Sequence, residues 1–272
     1  IEGTSKLTGI KTVELGKNSS GLFLKNATFT SDIEKITGIK EGAKGLLAIE
    51  SDLTNNSKIN LSGDSSIGIY SNANGKTVTN KGELTLSGKK TLGVFLKGSQ
   101  TFVNTGDINI ADTTSTKDDE KTIGIYTADG TTNIKHNSGN IEVGNKSIGI
   151  FSTTNSGVEM NGGKIHVKDE AIGIYAENNT GTARANVKID NTSPITVGTK
   201  GVGIALVSTA PTVSSKTVYH STNEEGGTIT ATASGGTDIT TGVKGTGIYA
   251  EDSDINLTGG DYIIESKDKG VG

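Results

Sequence analysis

Cysteine is absent from this chain, which excludes a disulfide framework and any thiolate-ligated metal. Tryptophan is absent as well, and there are only two prolines. No apolar run approaches the roughly 20 residues that a membrane-spanning helix needs. Twenty-six Lys and Arg stand against 30 Asp and Glu, for a formal net charge of −4. With no basic stripe, the electrostatic footprint of a nucleic-acid partner is missing. Hydrophobic residues make up 31% of the 272 and aromatic residues 4%. That is lean for a spherical core of this length, but enough for a thin core that runs in one dimension.

What the chain has in abundance is glycine, 39 residues, and much of it is periodic. A phrase of the form Gly-Ile-Tyr-Ala recurs nine times. It starts at Gly21, Gly45, Gly68, Gly93, Gly124, Gly149, Gly173, Gly203 and Gly247. The steps between these glycines are 24, 23, 25, 31, 25, 24, 30 and 44 residues. A period near 24 built from β-prone residues is the mark of a solenoid. A second phrase, Gly-x-Ile-x-Val, alternates with the first, as in Gly106-Asp107-Ile108-Asn109-Ile110 and Gly163-Lys164-Ile165-His166-Val167. Its period of two is a strand signature. A third, weaker strand is marked by Val78, Val103, Ile134, Val158 with Met160, Val187 with Ile189, and Ile255 with Leu257. Three short strands and three turns per repeat predict an all-β, right-handed parallel β-helix of about ten coils over 1–272. At one strand spacing per coil, such a rod is about 50 Å long.

Strict alternation assigns the faces of the first phrase. Ile67, Ile69 and Ser71 are expected to face the lumen, with Gly68 and Tyr70 outside, because the opposite choice exposes two aliphatics per coil. This predicts an outer aromatic strip of Tyr70, Phe95, Tyr126, Phe151, Tyr175 and Tyr249, with Phe23 and the interruptions Leu47 and Ala205 in the same column, and a glycine column beside it. Two readings of the strip stand side by side: stacking between coils, or an exposed apolar surface for a partner. Two residues before the second phrase stand Asp32, Asn55, Asn80, Asn104, Asn137, Asn161 and Asn191. Their fixed offset predicts a side-chain ladder at one corner.

The period breaks at four places, 111–122, 176–192, 206–226 and 232–246, where insertions are expected. Loops on solenoids often carry binding. The 206–226 segment brings Tyr219, His220, Glu224 and Glu225 together, and these are candidate ligand-binding residues.

No catalytic, cofactor or metal motif is recognisable. The glycines do not open helices, so they give no phosphate cradle. His136, His166 and His220 are far apart, with no zinc-ligand spacing. Glu83 and Asp107 occupy equivalent outward positions one coil apart, about 5 Å by the strand spacing, which resembles the carboxylate pair of retaining glycosidases. Asn140, Lys164 and Pro194 continue that column without further acids. A polysaccharide lyase or hydrolase is therefore kept only as an alternative.

The repeats of Ile-Gly-Ile-Tyr-Ala type, clearest at 67–71, 123–127, 148–152, 172–176 and 247–250, lie in spacers rich in Asn, Gly, Thr and Lys. They resemble the passenger domains of fusobacterial type V autotransporter adhesins over essentially the whole chain. The resemblance implies a rod displayed at the cell surface and tethered through a C-terminal outer-membrane barrel that is not in this sequence. It implies a non-enzymatic role in attachment to host cells or other bacteria, through a surface protein or glycan, with no cofactor. A monomer is expected. Because the chain opens within a repeat and closes at Gly270-Val271-Gly272, it is expected to be a segment of a longer protein. A stalk with no ligand of its own is the competing reading.

Overall fold

The computed structural model describes residues 3–113, 121–153, 156–178, 186–190, 193–208, 228–232, 238–241, 244, 246–251, 254–258 and 263–266. Among them the chain forms three parallel sheets of ten, ten and nine strands. Each strand pairs with the strand three places later in sequence, so one turn of chain adds one strand to every sheet. The first coil comprises Gly3–Leu7, Thr12–Leu15 and Ser20–Lys25. The third comprises Asp52–Asn55, Lys58–Leu61 and Ile67–Asn72. Coils are numbered in this order below. The fold is a right-handed parallel β-helix, as the repeat predicts. Residues 114–120, 179–185, 209–227 and 233–237, which carry most of the four expected insertions, lie outside the described residues.

The core is a bundle of columns. Ile59, Leu84, Ile108, Ile141, Ile165 and Ile195 stack in the second sheet. Ile69, Val94, Ile125, Ile150, Ile174 and Ile204 face them from the third. All twelve are buried, and full burial of such side chains stabilises by about 1.5–3 kcal/mol each. In the first sheet Phe102, not Val103, fills the inner place: it registers with Val78 and Ile134 and is fully buried, while Val103 points out. The valine misled because Thr101–Asn104 carries two apolar residues in succession, and only the phase set by Asn104 distinguishes them.

The glycine column also departs from expectation. Alternation breaks at Gly68, so that Gly68 and Ile69 both turn inward and Ile67 is left on the outer face. The same holds at Gly93 and Gly124. A Cβ on Gly93 would sit 3.1 Å from Leu86 Cδ1 in the core, and one on Gly124 would sit 3.1 Å from Ile110 Cδ1. It would also meet the carbonyl oxygen of the next coil's glycine, at 2.4–2.8 Å from Gly21 through Gly203. No side chain fits in that space. The glycines let the third sheet approach both the second sheet and its own next strand.

Side chains also tie coil to coil at the corners. Asp112 Oδ1 accepts from the Asn145 amide at 3.0 Å, Asn145 Oδ1 from Asp169 at 3.1 Å, and Asp169 Oδ1 from Thr199 at 2.7 Å. Asp52 and Asp64 accept in the same way from Thr77 and Lys89, each at 2.8 Å. Backbone donors left over by the turns are satisfied by this means.

Candidate functional site

The three outer faces differ in chemistry. The first presents residues such as Thr54, Thr79, Lys135 and Glu159, and the second Asn60, Thr85, Asn109, Glu142 and His166. The third is the most apolar, although Lys25, Asn72, Lys97 and Glu177 also point out along one margin of it. Because alternation breaks at the glycines, it carries two apolar columns, not one. Ile67, Leu92, Ile123, Ile148, Ile172 and Val202 form an aliphatic column that is partly exposed except at its buried member Ile148, and beside it run Tyr70, Phe95, Tyr126, Phe151 and Tyr175. The aliphatic column could have been found from the sequence only by recognising that the glycine is an inward residue.

Consecutive rings of the aromatic column are in contact. Centroid separations are 5.4 Å for Tyr70–Phe95, 5.2 Å for Phe95–Tyr126, 5.3 Å for Tyr126–Phe151 and 4.8 Å for Phe151–Tyr175. The two end pairs are edge-to-face and the Phe95–Tyr126 pair is stacked at 27°. Such contacts contribute about 0.5–1.5 kcal/mol each beyond their burial. Ring planes thus change from one coil to the next, so that a ring meets its neighbour with a face in one pair and with an edge in another. Burial, reinforced by the negative charges of Glu177 and Asp129, holds the Tyr126 hydroxyl above its ordinary pKa, so it is neutral at physiological pH. At the ends of the column Phe23 and Tyr249 are about half exposed, at 50% and 47%. Ala205 registers between Tyr175 and Tyr249 and is buried. The other sequence candidates, Tyr219, His220, Glu224 and Glu225, lie outside the described residues.

Glu83 and Asp107 do stand on adjacent coils, but each is bound separately. Glu83 Oε1 accepts from Asn109 Nδ2 at 3.2 Å, and Glu83 Oε2 lies 3.6 Å from Lys58 Nζ. Asp107 Oδ1 accepts from the Asn140 amide at 2.8 Å. These are bonds that fasten coils, and the two carboxylates have no partner in common among them. His166 Nδ1 lies 2.8 Å from Glu142 Oε2 on an exposed surface. Among the described residues no group of three or more His, Asp or Glu could hold a metal ion.

The predicted amide ladder exists with a different membership. Asn55 Nδ2 donates to Asn80 Oδ1 and Asn80 Nδ2 to Asn104 Oδ1, both at 2.8 Å. Each amide also donates to a carbonyl of its own turn, of Ser57, Gly82 and Gly106. All three asparagines are fully buried. The next rung is His136, whose Nδ1 lies 3.0 Å from Asn104 Nδ2, and below it come Met160 and Ile189. Asn137 and Asn161 are one residue off this column. They are exposed and bond to each other at 3.1 Å. Asp32 is off it too: it accepts from Asn56 and pairs with Lys6 at 2.6 Å, and these bonds hold its carboxyl below the usual range. Asn191 is outside the described residues. The sequence offset pooled two columns, because the Asn-x-Gly spacing persists from Asn104 to Asn137 while the turn lengthens by one residue.

This architecture, a parallel β-helix with three sheets, is that of pectate lyase-like domains. A family model described as the BigA third pectate lyase-like domain matches residues 30–136, less than half of the chain. BigA is a bacterial surface adhesin-like protein. No curated protein matches the chain. No solved structure matches it either.

Proposed function

We propose that this chain is a surface-exposed β-helix of a bacterial adhesin, non-enzymatic, which attaches through the apolar face of its third sheet. The observation that carries the reading is the contrast between that face and the two polar ones. A contiguous apolar surface on an otherwise polar protein marks an interaction site. The likeness of residues 30–136 to a domain of a surface adhesin-like protein supports the location. The kinship to fusobacterial autotransporter passengers, with an outer-membrane barrel as tether, belongs to the same proposal and rests on the repeat phrases. The non-enzymatic role is supported by the separate binding of Glu83 and Asp107.

Ring geometry favours a protein over a glycan as occupant of the strip. A sugar stacks on an open aromatic face, and here Phe95, Tyr126 and Phe151 are each flanked on both sides by another ring. Edges and aliphatic branches suit the side chains of a protein surface. The 206–226 insertion, with Tyr219, His220, Glu224 and Glu225, is a second proposed contact, where a glycan would be read by polar groups instead.

The test is adhesion of host and bacterial cells to the immobilised protein, with three variants. Ile123→Lys with Ile172→Lys places charge on the apolar face, and Thr85→Lys with Asn109→Lys does the same on a polar face. The third replaces 206–226 by a short turn. Loss of adhesion with the first pair alone supports docking on the third sheet, and loss with the third variant alone places recognition in the insertion. Equal adhesion by all of them sinks both sites. No adhesion by the unmodified protein leaves the stalk reading, and turnover of an acidic polysaccharide would overturn the non-enzymatic one.

A further inference from the structure

The place in the coil where Asn55, Asn80 and Asn104 form their ladder passes to His136 and then to Met160. Asn104 Nδ2 already donates to the Gly106 carbonyl at 2.7 Å and turns its second hydrogen toward His136 Nδ1. Nδ1 is therefore the acceptor, and the neutral ring carries its proton on Nε2. That Nε2 is buried and makes no hydrogen bond of good geometry among the described residues, although the nearby Gly139 backbone favours a proton on the ring. Met160 on the next coil offers only a thioether, and Gly163 stands so close that a Cβ there would lie 2.5 Å from Nε2.

We infer that His136 is an acid-responsive joint in the rod: protonation of its ring opens the coil that carries it, while the coils of the amide ladder before it stay closed. A second proton would have to enter at Nδ1, the atom that accepts from Asn104. It would set two donors against each other and place a cation in the lumen. The charges around the ring do not compensate. Among the described residues the Gly139 backbone and then the Asp107 carboxylate draw the proton on, and together they fall short of the cost of burial. Lys135 and Glu159, beside His136 and Met160, point outward and lie 3.5 Å from each other. Asn104 and Met160, which pack on the ring from the neighbouring strands, are uncharged.

The pH window follows from the same geometry. Burial pushes the His136 ring from 6.5 down to about 4, opposed in part by the Gly139 backbone and by Asp107. The folded ring is thus neutral where the opened one is already charged. As pH falls from 6.5 toward 4, opening becomes more favourable by up to tenfold per pH unit, and below about 4 the dependence flattens.

Amide hydrogen exchange on the whole chain reads this directly, as protection factors between pH 7 and 4. Protection at Asn133–His136 and Gly157–Met160 is expected to drop by about two orders of magnitude, more than at Lys58–Leu61 and Leu84–Leu86. His136→Asn and, as a second replacement, His136→Met, which copies the residue on the next coil, are expected to flatten the response. His166→Asn, at an exposed histidine, is expected to leave it intact. An equal drop in the unmodified protein and in either folded His136 variant would overturn the inference. So would an unmodified protein whose protection at this coil does not change with pH.

Discussion

Coils 3 to 5 and coils 6 and 7 make the same corner in two ways. In the first group four residues separate the inner position of the first sheet from that of the second, as from Asn80 to Leu84 and from Asn104 to Ile108. Asparagine is then buried, and its amide reaches both its own turn and the next coil. In the second group the step is five, from His136 to Ile141 and from Met160 to Ile165. The extra residue is carried by Gly139 and Gly163, at φ of 85° and 81°, in the left-handed region that glycine occupies without strain. The asparagine shifts outward and the lumen is filled by His136 and Met160. One added residue thus ends the amide ladder at an imidazole, beyond which come thioether and hydrocarbon, because a strand's faces exchange with every single step.

Substitution should expose this difference. The largest effect is expected for Asn80→Ala. It strands a donor on Asn55, an acceptor on Asn104 and the Gly82 carbonyl, and each buried unsatisfied group costs about 1–3 kcal/mol. A loss of roughly 4 kcal/mol in urea unfolding is expected. Gly163→Ala comes next, at about 3 kcal/mol, because it combines left-handed strain with a Cβ 2.3 Å from the Gly139 carbonyl oxygen. Asn161→Ala is the counterpart of Asn80→Ala in the long-turn coils. It removes one exposed amide bond and should change stability by less than about 0.5 kcal/mol. If Asn161→Ala costs as much as Asn80→Ala, the distinction between the two corners fails.

The outer faces offer a milder comparison. Tyr126→Ala removes two ring contacts on the third sheet and is expected to lower stability by about 1–2 kcal/mol. Breaking the Lys135–Glu159 pair on the polar first sheet, by Lys135→Ala, should change it by about 0–1 kcal/mol. Thermal melting of the two variants against the unmodified protein would rank them.

Most of the architecture was legible in the repeats. Nine copies of Gly-Ile-Tyr-Ala determine the coil, and alternation in Gly-x-Ile-x-Val determines the second sheet. What misled the sequence reading were single-residue shifts of phase. Strict alternation placed Ile67 inside and Gly68 outside, but the bare backbone of glycine allows two inward residues in succession. Asn137 keeps its distance from Gly139 while losing its place in the ladder, because spacing within a turn does not report the length of that turn. By sequence alone His136 is one of three scattered histidines. Its meaning lies in its register with Asn104, which only the pairing of strands reveals. The aromatic strip was read from sequence, but its two-column width was not.

The glycine column has a further consequence, for inheritance. Each of these glycines yields its missing side chain's space to the carbonyl oxygen of the following coil, never of the preceding one. The requirement therefore travels in one direction and is the same at every step. At this seam a whole coil can be copied or deleted and the glycines still meet, whereas a point change at the glycine damages the seam. Recombination can adjust the reach of such a rod in increments of one strand spacing, and each added unit brings with it one more rung of the apolar face.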